Sequence, residues 1–263
     1  MAAPLALFRS TLSTSEADLE QATEAVSKHL AEALPDQTER DLFLLAFVEA
    51  LNNAAEHGND WDPRKQIRLA GHFGPGLAML LVEDDGLGFS PAFPDLTKVE
   101  GKRGRGLGFI RQFSDALWFN PEGNQIVFWK GCPGMFQEYK FSTARVSTLP
   151  GKVVVVSDFT PRGSVFEAIG ELLDHLHQTG WEKLFLNLSN VKLITSAVWG
   201  SIFAEAGREG AKQLVMFNCS ASVVVAAEAM GIKTRQDVYA KIVVAPDCHE
   251  PFLLLCQSLE QAE

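Results

Sequence analysis

The sequence has 263 residues, of which 46% are apolar and 10% aromatic, and it carries a formal net charge of −10. So many apolar residues can build a packed core, which excludes a chain that is disordered throughout. The acidic balance excludes the basic surface of a nucleic-acid-binding domain, and no apolar run approaches the length of a membrane span.

The cysteines and the N-terminus indicate a reducing compartment. The four cysteines lie far apart and include no CxxC pair, which is typical of unpaired thiols. The first ten residues lack the charged and apolar regions of a signal peptide. We therefore expect a cytoplasmic protein that binds neither nucleic acid nor membrane directly.

The first half of the chain opens with two predicted helices. Ser13 followed by Glu16 is a capping box, and the amphipathic residues after it predict a helix. A second box, Asp36 with Glu39, predicts a helix that ends at Gly58. Four strands are predicted after these helices, at residues 66–73, 77–84, 116–120 and 124–130, with one short helix at 107–115 between the second and the third.

In the second half, after a turn-rich boundary segment at 131–139, helices alternate with mostly apolar strands. This pattern predicts a compact α/β domain. The predicted strands are residues 140–146, 152–159, 183–189, 212–219 and 240–246. The predicted helices are residues 163–180, 196–207 and 221–231 and a terminal helix.

Three segments of the first half carry residues suited to chemistry, and the first is "FVEALNNAAEHG". Glu49 and Asn53 are four residues apart, so they share one helix face. A carboxylate and an amide oxygen on one face can hold Mg²⁺ or orient a hydroxyl nucleophile. Alternatively, the two residues simply line a solvated face.

The second segment, "LLVEDDGLGF", is an apolar strand that ends in acidic residues followed by Gly86 and Gly88. A carboxylate such as Asp84 at a strand end only accepts hydrogen bonds, so it suits an exocyclic amine. The alternative is an acidic hairpin turn.

The third segment, "GKRGRGLGF", places Arg105, Gly106 and Gly108 among further basic residues and glycines at the start of a helix. Glycines let backbone N–H groups point at an anion, and the N-terminus of a helix favours negative charge. The segment therefore predicts an anion site.

In this order, the three segments resemble the nucleotide-binding boxes of the GHKL (Bergerat-fold) ATPases. The short stretch 89–103 between the glycine boxes makes them most similar to the anti-sigma-factor serine/threonine kinases of bacterial partner switching. The resemblance implies a Bergerat-type α/β sandwich that binds ATP and Mg²⁺.

The resemblance also implies a role for each residue of the boxes. Glu49 would be the general base for a serine hydroxyl, Asn53 would bind ATP and coordinate Mg²⁺, and Asp84 would bind the adenine amino group. Gly86 and Gly88 would shape the base pocket. The residues that would hold phosphates are Arg105, Gly106 and Gly108.

Residues 137–263 resemble a STAS domain, the fold of the anti-sigma-factor antagonists. Ser196 occupies the position of the serine that the partner kinase phosphorylates, whereas Thr195 and Asn187 stand where aspartates are usual. The alternative is that Ser196 is only a helix N-cap. Trp199 in the same loop is either an exposed docking anchor or a core residue.

The sequence therefore predicts a two-domain α/β protein: a GHKL kinase domain at 1–133, a linker and first hairpin at 134–150, and a STAS domain at 151–263. The expected activity is ATP-dependent phosphorylation of a serine on a STAS-type antagonist or on its own STAS domain. The resemblance also implies a sigma factor and a PP2C-type phosphatase as partners, and a homodimer. The alternative is a nucleotide-gated binding or scaffold protein without phosphotransfer, in which the STAS domain is a docking or inhibitory module.

Overall fold

A computed structural model of the protein describes residues 7–89, 106–141, 143–161, 164–206, 213–232 and 241–261. The chain divides into two compact units, Met1–Met135 and Phe136–Glu263. Together the described residues form mixed α/β structure with two sheets and seven α-helices. None of the helices within these ranges is long and apolar enough to cross a membrane.

The first unit is built around one antiparallel sheet. Its described elements are β1 (Phe8–Leu12), α1 (Glu16–Ala33), α2 (Gln37–Asn53), a π-helical turn (Ala54–Gly58), β2 (Ile67–Gly74), β3 (Leu77–Asp84), α3 (Gly106–Phe113), β4 (Ala116–Phe119) and β5 (Gln125–Gly131). The strands are ordered β1-β2-β3-β5-β4, and every neighbouring pair is antiparallel.

The helices pack their apolar faces on this sheet. In α1 the buried side chains recur every three or four positions, as one face of a helix requires: Leu19, Ala22, Val26, Leu30 and Ala33. In α2 the buried ring of Phe43 lies 5.4 Å, centroid to centroid, from the ring of Phe128 on β5. This contact holds α2 against the sheet.

One predicted helix cap is confirmed and the other is wrong. Asp36 caps α2, because its Oδ1 accepts from the Glu39 N–H at 3.0 Å. In α1 the cap is Ser15 and not Ser13, since the Ser15 hydroxyl accepts from the Asp18 N–H at 3.2 Å. Ser13 instead donates from its N–H and hydroxyl to the Asp18 carboxylate, so the pairing partner of Ser13 is two residues later than predicted.

The second unit is built around one mixed sheet. Its described elements are β6 (Gln137–Lys140), β7 (Ala144–Leu149), a 3₁₀ turn (Pro150–Lys152), β8 (Val153–Phe159), α4 (Val165–Thr179), β9 (Lys183–Asn187), α5 (Ser196–Ala206), β10 (Gln213–Phe217), α6 (Ala221–Ala229), β11 (Ile242–Val244) and α7 (His249–Glu260). The strand order is β11-β10-β9-β8-β7-β6. Strands β8 to β11 pair in parallel, whereas β6, β7 and β8 pair antiparallel.

Two strand predictions differ from the structure. The strand predicted at 140–146 is wrong, because the chain turns there from β6 into β7 and the Phe141 N–H donates to the Ala144 carbonyl at 2.7 Å. Strand β1 was not predicted. It is an edge strand whose residues alternate between half-buried and exposed, and only its pairing with β2 defines it.

A buried amide network holds the end of β9. Asn187 is 2% exposed, and its Nδ2 donates to the Ser157 carbonyl at 2.9 Å. Its Oδ1 accepts from the Ser189 N–H and from Asn218 Nδ2, both at 3.1 Å. A carboxylate could not donate to the Ser157 carbonyl, which explains why an asparagine occupies this position.

We expect Asn187→Ala to lower the free energy of unfolding by about 2 kcal/mol, because it removes three hydrogen bonds made by a buried side chain. Asn190→Ala is the matched control. The Asn190 side chain is exposed and, within the described part of the chain, donates only to the Thr160 hydroxyl, so its loss should change stability by less than about 0.5 kcal/mol. Urea unfolding followed by circular dichroism measures the stability of both variants. An equal loss of stability in the two would show that the amide network does not stabilise the second unit.

Candidate functional site

The first unit contains a cavity of about 920 Å³. Its walls come from the last turns of α2, the π-helical turn, the end of β3, the start of α3 and the turn between β4 and β5. The described residues that line it are Glu49, Ala50, Asn52, Asn53, Ala54, Glu56, His57, Gly58, Trp61, Val82, Asp84, Gly88, Phe89, Gly106, Leu107, Ile110, Phe119, Gly123, Asn124, Gln125 and Ile126. The set is apolar over much of its area, with polar side chains grouped at a few points.

One polar group is formed by Glu49 and Asn53, which lie one helical turn apart on α2. Gly106, the first residue of α3, lies directly over this pair. A Cβ added to Gly106 would be 2.8 Å from Glu49 Oε2 and 3.4 Å from the Asn53 amide, so a larger residue would displace them. Within the described part of the chain neither side chain makes a hydrogen bond, so both are available to a ligand in the cavity.

The second polar group is the carboxylate of Asp84 at the end of β3. It is 9% exposed, and its Oδ1 accepts from the Gly86 N–H at 2.8 Å. Burial raises the pKa of this carboxyl from 3.8 to about 6, against the opposing effects of the Gly86 hydrogen bond and the Lys65 charge. Among the described contacts its Oδ2 accepts no hydrogen bond. Asp84 therefore fits a ligand that donates from an amine or N–H group.

Glycines surround Asp84 because the fold leaves no space for side chains there. A Cβ on Gly58 would be 2.3 Å from Asp84 Cγ, and a Cβ on Gly86 would be 2.2 Å from the Gly58 carbonyl oxygen. Gly88 has φ +72°, and its Cβ would be 2.0 Å from the Glu122 carbonyl oxygen. Gly58 and Gly86 therefore leave room for the Asp84 carboxylate, and Gly88 leaves room for the backbone of the β4–β5 turn.

A π-helical turn and a buried asparagine connect α2 to the end of β3. The Asn59 N–H donates to the Ala54 carbonyl at 2.8 Å, which widens the last turn, as is frequent at functional sites. Asn59 is fully buried; its Oδ1 accepts from the Asp85 N–H and its Nδ2 donates to the Gln66 carbonyl, both at 3.0 Å. This arrangement, the Asn59 clamp, fixes the helix that carries Glu49 relative to the strand that carries Asp84.

The structure brings most of the predicted site residues to one cavity. Those that line it are Glu49, Asn53, Asp84, Gly88 and Gly106. Gly86 contributes its N–H to Asp84, and Gly108 is buried inside α3, away from the cavity lining. Arg105 lies outside the described residues, as does most of the 89–103 stretch.

Two residues that line the cavity were missed by the sequence analysis. Asn124 in the β4–β5 turn donates from Nδ2 to the Asp84 carbonyl at 3.0 Å, and no motif marked it. Trp61 lies three residues after Gly58 and is 44% exposed. No sequence pattern predicts that Trp61 lines the cavity, because its position depends on left-handed backbone.

In the second unit, Ser196 is the exposed first residue of α5. The expectation that it caps the helix is not met, because the hydroxyl that accepts from the Val198 N–H, at 3.5 Å, is that of Thr195. Trp199 is 1% exposed and its ring stacks on Phe203 with centroids 5.6 Å apart. Trp199 is therefore a core residue, and the docking-anchor alternative is wrong.

Comparison with known families agrees with the geometry of the first unit. Residues 12–130 match the family model of the histidine kinase-like ATPase domain, from the end of β1 to β5. The first unit is therefore similar to the GHKL-type ATPase domains, which bind ATP, usually with Mg²⁺. The match ends before the second unit begins, and the comparison with curated proteins found no match.

The raised pKa of Asp84 predicts a pH-dependent loss of stability. Since its pKa is about 6 in the folded protein and 3.8 ordinarily, the folded state binds more protons between these values, and stability falls as the pH rises through them. Asp84→Asn removes the charge, so it should stabilise the protein by up to about 3 kcal/mol above pH 6 and have little effect below pH 4. Urea unfolding at several pH values measures this difference.

The neighbouring residue Asp85 offers a control, because its pKa is shifted in the opposite direction. The pKa of Asp85 is lowered, chiefly because its carboxylate accepts from the Gln66 N–H. Its ionised form therefore contributes stability that is lost at low pH, and Asp85→Asn should destabilise the protein at neutral pH. If Asp84→Asn changed the free energy of unfolding equally at every pH, burial of the Asp84 charge would not be the cause of the change.

Proposed function

We propose that the protein is a bacterial partner-switching regulator whose first unit is an ATP-dependent protein serine kinase of the anti-sigma-factor type. Its target would be a serine on a STAS-type antagonist or in its own second unit. The family match supports ATP-dependent kinase or ATPase activity in the first unit. Specificity for serine and the partner-switching role rest on the resemblance of the boxes.

The observation that carries the proposal is the grouping of two distinct polar sites in one apolar cavity. Asp84 offers a buried acceptor suited to the amino group of adenine. Glu49, Asn53 and the backbone of Gly106 lie together on the same cavity, where oxygen ligands for Mg²⁺ and space for phosphate groups are needed. A nucleotide has these two ends, one basic and planar and one anionic.

Each residue would have a separate role. ATP with Mg²⁺, when bound, would supply the γ-phosphoryl group, whose bond to the β,γ-bridging oxygen breaks so that ADP leaves. Asn53 would hold Mg²⁺ through its amide oxygen, and Asp84 would orient the base. Glu49 would accept the proton that the serine hydroxyl loses as its oxygen bonds to phosphorus.

For the second unit we propose a STAS domain. Its strands β8 to β11 are parallel and alternate with helices α4, α5 and α6, which supports this assignment. Ser196 is exposed at the first position of α5, where a phosphate would meet free N–H groups and the positive end of the helix dipole. We further propose a STAS-type antagonist, a sigma factor and a PP2C-type phosphatase as partners, and a homodimer as the assembly.

Nucleotide binding is tested by titrating the protein with ATP and Mg²⁺ in a calorimeter. We expect Asp84→Asn to abolish measurable binding, because an amide presents an N–H group where the ligand also donates. Asp85→Asn is the matched control. It lies one residue away, is ion-paired with Arg68 and does not line the cavity, so it should bind ATP normally. Wild-type protein that binds no ATP would overturn the proposal.

Phosphotransfer is tested by incubating the protein with labelled ATP and mapping the modified residue. We expect label on Ser196 or on an added STAS-type protein, lost in Glu49→Gln while ATP binding persists. Ser196→Ala should remove label from the chain itself but not from the added protein. Intact binding with no label under any condition would favour the nucleotide-gated scaffold.

A further inference from the structure

We infer that the Trp61 ring is a stacking surface for the planar base of the nucleotide, and therefore a residue that determines base affinity. The inference rests on the proposed nucleotide-binding function of the cavity. It adds a contact with the face of the base to the edge contact made by Asp84.

Trp61 differs from the other tryptophans in its exposure. It is 44% exposed, whereas the remaining four are buried at 0–5%: Trp118, Trp129, Trp181 and Trp199. Single exposed apolar side chains are common on protein surfaces, so exposure alone indicates nothing. Trp61, however, lines the cavity that also contains Asp84.

The backbone also holds Trp61 in an unusual conformation. Asp60 and Trp61 have φ values of +54° and +56°, in the left-handed region that bulky side chains rarely adopt. The Trp61 N–H donates to the Ala55 carbonyl at 2.8 Å, and the Asn59 clamp anchors the turn to the end of β3. Such strain persists only where surrounding contacts impose it, and it is concentrated at ligand sites.

The chemistry of the cavity matches a planar, amine-bearing heterocycle. Asp84 accepts hydrogen bonds at the edge of such a ring, and an aromatic side chain packs on its face. The cavity lining around them is largely apolar and includes Val82 and Ile126. His57 also lines the cavity and is exposed, so it is the competing candidate for the face contact.

The exposure pattern gives a direct optical test. Because Trp61 is the one exposed tryptophan of the five, acrylamide quenching of the protein's fluorescence reports chiefly on this ring. We expect ATP to protect Trp61 from acrylamide and inorganic tripolyphosphate to give no protection. Equal protection by both would indicate closure around phosphate and would overturn the stacking assignment.

Affinity of the variants provides the second measurement. Trp61→Ala should weaken ATP binding about 5- to 100-fold without changing the affinity for tripolyphosphate, and Trp61→Phe should retain most of the ATP affinity. Leu45→Ala is the matched control, since Leu45 is 39% exposed on α2 but does not line the cavity. It should bind ATP as the wild type does.

The outcomes separate the inference from the proposed function. Normal ATP binding by Trp61→Ala, with no protection of the wild-type ring, overturns the inference and leaves the nucleotide site in place. The inference is also overturned if His57→Ala weakens the binding of ATP but not of tripolyphosphate while Trp61→Ala does not, because His57 then makes the contact with the face of the base. A wild-type protein that binds no ATP overturns both.

Discussion

The burial of one carboxylate at the end of β3 is the constraint on which the site depends. Asp84 lies against two glycines that no other residue could replace, because a Cβ on Gly58 or Gly86 would approach within 2.3 Å of existing atoms. The Asn59 clamp and Asn124 fix the backbone on either side of it. These contacts position the last turns of α2, the π-helical turn and the β4–β5 turn relative to the Asp84 side chain. Glu49 and Asn53, which lie on α2, are positioned with them.

Much of this arrangement was predictable, because it depends on local periodicity and on spacing within single elements. The Asp36 cap and strand β3 follow directly from the sequence, and the four-residue spacing of Glu49 and Asn53 predicts one helix face. What was missed depends on partners distant in sequence. Strand β1 exists through its pairing with β2, and the position of Trp61 at the cavity depends on left-handed backbone that no sequence pattern signals.

In the second unit, the structure shows which hydroxyl caps α5. A threonine next to a serine at a helix start leaves the cap ambiguous, because either hydroxyl can reach the backbone N–H of the first turn. In the structure Thr195 accepts that hydrogen bond, so the Ser196 hydroxyl is exposed and has no capping role. Trp199, one turn later, is buried and belongs to the core of the second unit.

The two features that bring ligand chemistry to the cavity both lower the stability of the protein. Burial raises the pKa of Asp84 to about 6, so its ionised form at neutral pH is held unfavourably, and the left-handed Trp61 backbone costs about 1–3 kcal/mol. The Asn59 side chain bonds to the backbone of Asp85, next to Asp84, and to that of Gln66, beyond the turn that carries Trp61. A ligand that donates to Asp84 and packs on Trp61 would offset both penalties at once. The proposed nucleotide base is such a ligand, because it has an amine that can donate to Asp84 and a planar face that can pack on Trp61.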